Sequence, residues 1–196
     1  MRRILFSTLV SGVAAILLST QVMAADWIVR GRGIIVSPDA SSSGVLSQLD
    51  AESNFTAEID ITRFLSPNWG LELILATTTH EITSAGSSLG SVTLLPPTLT
   101  LQYHFSPNGN VRPYAGIGIN YTTFYDESGA LDGVDLDNSF GLAAQFGIDW
   151  MVSKQASFNI DIKYINIETE ATAGGVKLAD IEINPWVIGI GAGIFF

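Results

Sequence analysis

The sequence predicts an all-β fold, an eight-stranded antiparallel transmembrane β-barrel. Three observations carry that expectation. Apolar and polar residues alternate with period two in eight segments. After the first two dozen residues no run reaches the roughly 18 apolar residues of a membrane helix. Short and long connections between the segments alternate strictly, as periplasmic turns and extracellular loops do in outer-membrane barrels.

Ahead of the first strand, Arg2 and Arg3 form a basic head, Ile4 to Leu18 a mostly apolar core, and Val22-Met23-Ala24 a small-residue exit. Residues 1–24 therefore read as a cleaved signal peptide and residues 25–196 as the exported barrel. Strand one, Trp27 to Val36, sets Arg30 and Arg32 against Trp27, Val29 and Ile35. Strand two, Asn54 to Phe64, alternates Phe55, Ala57, Ile59 and Ile61 with Thr56, Glu58, Asp60 and Thr62. Beyond the Ser66-Pro67-Asn68 turn, strand three sets Trp69, Leu71, Leu73 and Leu75 against Glu72 and Ile74. Strand four ends in Leu99, Leu101, Tyr103 and Phe105, alternating with Thr98, Thr100, Gln102 and His104. After the turn at 106–110, strand five opposes Ala115, Ile117, Ile119 and Tyr121 to Gly116, Gly118, Asn120 and Thr122. Strand six alternates Phe140, Leu142, Ala144, Phe146, Ile148 and Trp150 with a face that includes Gly141, Gln145, Gly147 and Asp149. Strand seven sets Phe158, Ile160, Ile162 and Tyr164 against Asn159, Asp161 and Lys163, and strand eight runs from Ile181 to Phe196. Residues 37–53, 79–91, 125–138 and 168–180 are expected to be long loops.

Composition limits the alternatives. Of 196 residues, 47% are hydrophobic and 14% charged, which excludes a disordered chain. The net charge of −10 gives no basic footprint for nucleic acid, and the absence of cysteine removes disulfides, thiolate nucleophiles and cysteine zinc sites. No cofactor or metal motif is present: the acids Asp126, Glu127, Asp132, Asp135 and Asp137 miss the calcium-loop spacing. Only His80 and His104 could serve as a histidine base, and neither has a nucleophile at motif spacing, so no catalytic residue is expected.

Alternation alone suits a soluble barrel with its apolar face inside as well as a membrane barrel with that face outside. Three features choose lipid. Aromatic residues gather at the strand ends, with Trp27, Phe64, Trp69, Tyr103, Phe105, Trp150 and Phe196 at one level and Tyr121, Phe124 and Phe140 at the other. The polar parity is rich in glycine, which suits a crowded bore. The chain closes on Phe196 with apolar residues two, four and six positions before it, similar to the C-terminal signal of the outer-membrane assembly machinery. The expected surroundings are therefore lipid and lipopolysaccharide of a Gram-negative outer membrane.

Gly70-Leu71-Glu72-Leu73, Leu95-Pro96-Pro97-Thr98, Arg112-Pro113-Tyr114-Ala115-Gly116, Gly118 to Phe124 and the closing Asn184-Pro185-Trp186 with Phe196 resemble motifs of the OmpW family of small outer-membrane barrels. They occur in order across most of the exported chain. The resemblance implies a barrel that passes or binds small hydrophobic compounds, as relatives implicated in alkane uptake do.

Read by height, the inward parity divides into two layers. Arg30, Arg32, Glu58, Asp60, Glu72, Arg112, Asp149, Asp161 and Lys163, with His104, form a charged floor. Ile34, Val36, Ile165, Ile167, Ile183 and Val187, with Ile74 at mid-height, form an apolar cup above it. Buried charges must pair, so the floor reads as a plug of salt bridges. The cup reads either as the path of an apolar guest or as packing beneath the loops. The resemblance implies an apolar constriction, from which Lys163 departs. Pro96, Pro97 and Pro185 cannot donate ladder hydrogen bonds, so a lateral gap in the wall is expected near one of them. A barrel that acts through its extracellular loops is the alternative.

Overall fold

A computed structural model describes residues 26–44 and 49–196, and the expected signal peptide lies outside the described residues. Eight strands close the barrel: β1 (Trp27–Ser37), β2 (Asn54–Phe64), β3 (Trp69–Ala76), β4 (Thr98–His104), β5 (Val111–Tyr125), β6 (Ser139–Met151), β7 (Ala156–Ile165) and β8 (Trp186–Phe195). Each pairs antiparallel with the next, and β8 returns to β1. At the seam of the two chain ends, the Trp27 N–H donates to the Phe196 carbonyl at 2.9 Å and the Phe196 N–H to the Trp27 carbonyl at 3.0 Å. Closure gives every strand two neighbours, as a membrane requires, because an unpaired backbone group there has no water to bond.

Parity follows the expectation strand by strand. Ile35, Phe55, Ile59, Ile117, Phe140, Leu142, Ile160, Ile188 and Ile190 are exposed, whereas Arg30, Arg32, Glu58, Asp60, Glu72, Asp149, Asp161 and Lys163 are buried. An apolar wall around a polar bore is the inverse of a water-soluble barrel, and it is stable only against lipid.

The long connections are the main departure. Open loops were expected over 79–91 and 168–180, but the wall continues upward as two hairpins, Thr78–Ser84 with Ser87–Leu95 and Glu168–Ala173 with Val176–Glu182. Their two-residue turns, Ala85-Gly86 and Gly174-Gly175, have φ of 48° and 77° and of 56° and 80°. Positive φ at both central residues is the twist-matched turn that joins strands tightly. Leu49–Ala51 pairs with the first hairpin and Val134–Leu136 with the second, so segments of the expected loops 37–53 and 125–138 are also β-structure.

Candidate functional site: two apolar chambers over a charged floor

β1 supplies the centre of the floor. The Arg30 guanidinium forks onto Asp149, with Nε donating to Oδ1 at 3.1 Å and a terminal nitrogen to Oδ2 at 2.6 Å, while its other nitrogen donates to Asp60 and Thr62 at 3.1 Å each. Arg32 donates to Glu58 at 2.5 Å, to the Asn159 side-chain Oδ1 at 2.7 Å and to the Tyr114 hydroxyl at 3.3 Å, and lies 2.7 Å from Asp60. Lys163 completes the layer by bridging Glu58, at 2.9 Å, and Asp161. These contacts join β1 to β2, β5, β6 and β7 and so cross the bore.

Five carboxylates meet three cations in this layer, and neutral donors make up the difference. Thr100 and Gln145 donate to Glu72 at 2.8 and 2.6 Å, Ser157 and Asn159 to Asp149 at 3.0 Å each, and the Tyr114 hydroxyl to Asp161 at 2.9 Å. Each carboxylate thus has a cation or a neutral donor beside it, which is what lets ionised groups sit out of water, since an uncompensated charge there costs several kcal/mol.

Arg112 is a correction. It was expected in the floor, but it lies half-buried at the periplasmic rim, where its Nε donates to the Gly109 carbonyl at 2.9 Å and its guanidinium rests over the Phe195 ring. The turn residues at its own strand start reach it before the central carboxylates do. Tyr114 takes the place in the floor that Arg112 was assigned. It is fully buried, with the Arg30 guanidinium 5.1 Å from its ring centre. Its parity, two residues from Gly116, was the available signal, but an aromatic on the polar face was passed over. Lys163 likewise belongs wholly to the floor and does not interrupt the apolar layer.

Gly147 makes room for Tyr114. The two are register partners on β6 and β5, and a Cβ on Gly147 would run into the Tyr114 ring and hydroxyl. Gly147→Val is therefore expected to expel the ring, strip Asp161 of its hydroxyl donor and destabilise the barrel by about 2–3 kcal/mol. A lowered urea midpoint for the lipid-inserted protein is the measurement, and an unchanged midpoint would contradict the packing assignment.

Above the floor, Ile34, Val36, Ile165, Ile167 and Val187 form one buried cluster with Ala143, and Ile183 packs against it. Ile74 is also buried, on β3. These seven residues of the expected cup line a narrow pocket whose floor is Glu58 and whose wall includes Pro96 and Pro185. A second pocket lies higher, among the hairpins, lined by Leu49, Ile82, Val92, Leu131, Ala171 and Ile181 among others. This outer chamber was missed because most of its residues fall in segments read as loops; the Ala85-Gly86 and Gly174-Gly175 pairs were the turn signals that could have revealed it. The two chambers share His80, Leu94 and Ile183.

The prolines differ in what they do to the wall. Between β3 and β4 the ladder ends at Ile74 opposite Thr98 and resumes, in the same register, at Thr78 opposite Leu94. Leu75, Ala76 and Thr77 thus face Pro97, Pro96 and Leu95 with no ladder pairing. On the other side the Tyr121 N–H still donates to the Pro97 carbonyl at 3.1 Å. At Pro185 the seam to β7 is stitched: the Ile165 N–H donates to its carbonyl at 3.2 Å, and the Asn184 side chain accepts from the Ile167 N–H at 3.0 Å.

Comparison with known proteins agrees with this architecture. The family model described as OmpW family matches residues 23–196. Outer membrane protein W of Vibrio cholerae is 40% identical over 192 residues, covering 87% of this chain and 88% of that protein. The crystal structure of the outer membrane protein OprG from Pseudomonas aeruginosa superimposes with a TM-score of 0.79 at 33% identity, over 88% of this chain and 96% of that one. The dibenzothiophene metabolism operon protein PahQ of Pseudomonas aeruginosa is 31% identical over 129 residues, covering 63% of this chain and 61% of that protein.

Proposed function

The chain belongs to the OmpW family and is a barrel of the Gram-negative outer membrane, in contact with its lipid; from that premise we propose that it conducts small hydrophobic molecules from outside the cell into the membrane. The observation that carries the reading is the stacking of two apolar chambers on a charged floor. A molecule entering the outer chamber finds apolar walls through the neck at His80, Leu94 and Ile183 and down to Ile74. Below lies a layer of fixed ion pairs, which an apolar solute cannot displace without leaving charges unpaired. The way out is sideways, through the unpaired stretch between Leu75–Thr77 and Leu95–Pro97. The dibenzothiophene in the name of PahQ, a fused aromatic, is of the chemical class such chambers would accept. Phe196, at the end of the last strand, is the residue through which the assembly machinery would recognise the chain.

The test is uptake of radiolabelled naphthalene by vesicles whose outer leaflet carries lipopolysaccharide, with and without the refolded protein. Faster uptake with protein supports the conduit. Equal rates would favour a barrel that acts through its extracellular hairpins, with the apolar lining reduced to packing. Lateral release has its own check, because the chain has no cysteine of its own. Ala76→Cys with Pro96→Cys places two thiols at facing positions of the unpaired wall, within the reach of opposed residues. Oxidising the pair is expected to lower uptake about tenfold or more, and reduction to restore it; uptake indifferent to the cross-link would remove that exit.

A further inference from the structure

Among the described residues His80 is the one titratable side chain lining both apolar chambers, and conduction as proposed gives it no task. It sits on Thr78–Ser84, in the hairpin that continues the wall above the eight barrel strands, opposite Val92 and 2% exposed. Its Nδ1 lies 2.7 Å from the Glu52 carbonyl oxygen, which can only accept, so Nδ1 carries the proton. Nε2 lies 3.2 Å from the Thr78 hydroxyl, which donates to it while the ring is neutral. One further proton reaches Nε2 without any break in this frame: the Thr78 hydroxyl turns, and Nε2–H donates to its oxygen instead. The ring is held in place in both states, and only its charge changes.

We propose that His80 is a protonation-controlled neck, open to apolar solutes as neutral imidazole and closed to them as imidazolium. The proposal rests on the conduit reading and names how that path is regulated. An imidazolium between two apolar chambers holds water that an incoming hydrocarbon must strip away, whereas a neutral ring presents a largely apolar flat face. Burial pushes the His80 pKa below the ordinary histidine value, against the upward pull of the Glu52 carbonyl bond. The neck is therefore open at neutral pH and closes in acid.

Other titratable groups near the path are Asp50 and Glu127 in the outer chamber and Glu58 at the base of the lower one, where Arg32 and Lys163 hold it. The Glu52 and Glu81 carboxylates are on exposed residues, and the facing strand Ser87–Leu95 carries no charge.

Naphthalene uptake by the lipopolysaccharide-bearing vesicles, measured from about pH 7.5 to about pH 4, tests the neck. Uptake is expected to be flat near neutrality and then to fall about tenfold per pH unit below the His80 pKa. The profile of His80→Leu is expected to be flat throughout, and His80→Lys to remain low at every pH. A fall in His80→Leu matching that of the unsubstituted protein would assign the titration to Asp50, Glu127 or Glu58 and overturn the proposal, as would uptake by the unsubstituted protein that ignores pH. Uptake no faster than in empty vesicles at all pH values would remove the conduit and the neck together. Should a variant fail to insert, the imidazole NMR titration of the unsubstituted protein decides, with His104→Gln separating the two histidines. Saturating naphthalene is expected to shift the His80 titration to lower pH, because a guest that prefers the neutral ring must oppose its protonation. An unchanged titration would overturn the proposal.

Discussion

Ile74→Lys is expected to reduce naphthalene uptake by tenfold to a hundredfold while the barrel still folds. Ile74 is 4% exposed and forms part of the lower chamber where the β3–β4 ladder ends. An ammonium there removes the apolar surface a guest would cover, worth about 1.5–3 kcal/mol for a fully buried side chain of this size, and brings water that the guest must displace. At about 1.4 kcal/mol per factor of ten, the loss corresponds to one to two orders of magnitude. Ile167→Lys, on the opposite wall, should act in the same sense, and Ile74→Leu should stay near the starting rate because shape and polarity are kept. Heat-modifiable migration monitors folding. Unchanged uptake in a folded Ile74→Lys barrel would show that solutes do not pass this level.

The second large effect concerns stability. Arg30→Met is expected to destabilise the barrel by about 3–5 kcal/mol, since it leaves the buried Asp149 carboxylate without its cation and Asp60 with Arg32 alone. Adding Asp149→Asn should recover part of the loss by removing one of the stranded charges, and the double-mutant cycle measures the coupling. Arg112→Met is the contrast: a half-buried rim guanidinium with one carbonyl acceptor is expected to cost under about 1 kcal/mol. Urea unfolding in lipid vesicles reads the unsubstituted protein, the two single variants and the double variant of the cycle, and Arg112→Met. Equal costs for Arg30 and Arg112 would mean that the central network contributes no more than a surface contact.

Strand parity was legible because it is local. In an extended backbone successive side chains point to opposite faces, so the alternation of Phe55, Ala57, Ile59 and Ile61 with Thr56, Glu58, Asp60 and Thr62 declares both faces wherever the strand ends up. The layering of the bore could be read in the same way, since height along a strand is residue count multiplied by a fixed rise. That is why the charged floor and the apolar cup contain nearly all the residues expected of them.

Pairings across the bore were not legible. Arg30 and Asp149 are 119 positions apart, and Arg32 and Tyr114 are 82 apart. Which inward side chains meet depends on the stagger at which the sheet closes, a property of all eight strands together. The same limit hid the outer chamber, whose walls come from hairpins that are each weakly apolar and become a lining only when packed together. The sequence by itself determined the barrel, its orientation toward lipid and the polarity of each level of its interior, because these follow from the two-residue period of an extended chain. Only the closed structure decided that Tyr114 fills the space left by Gly147, that Arg112 stays outside the floor, that Asn184 stitches the wall at Pro185 while the wall at Pro96 stays unpaired, and that His80 stands between two chambers. Each of these depends on a neighbour brought close by barrel closure and hairpin packing, not by position along the chain.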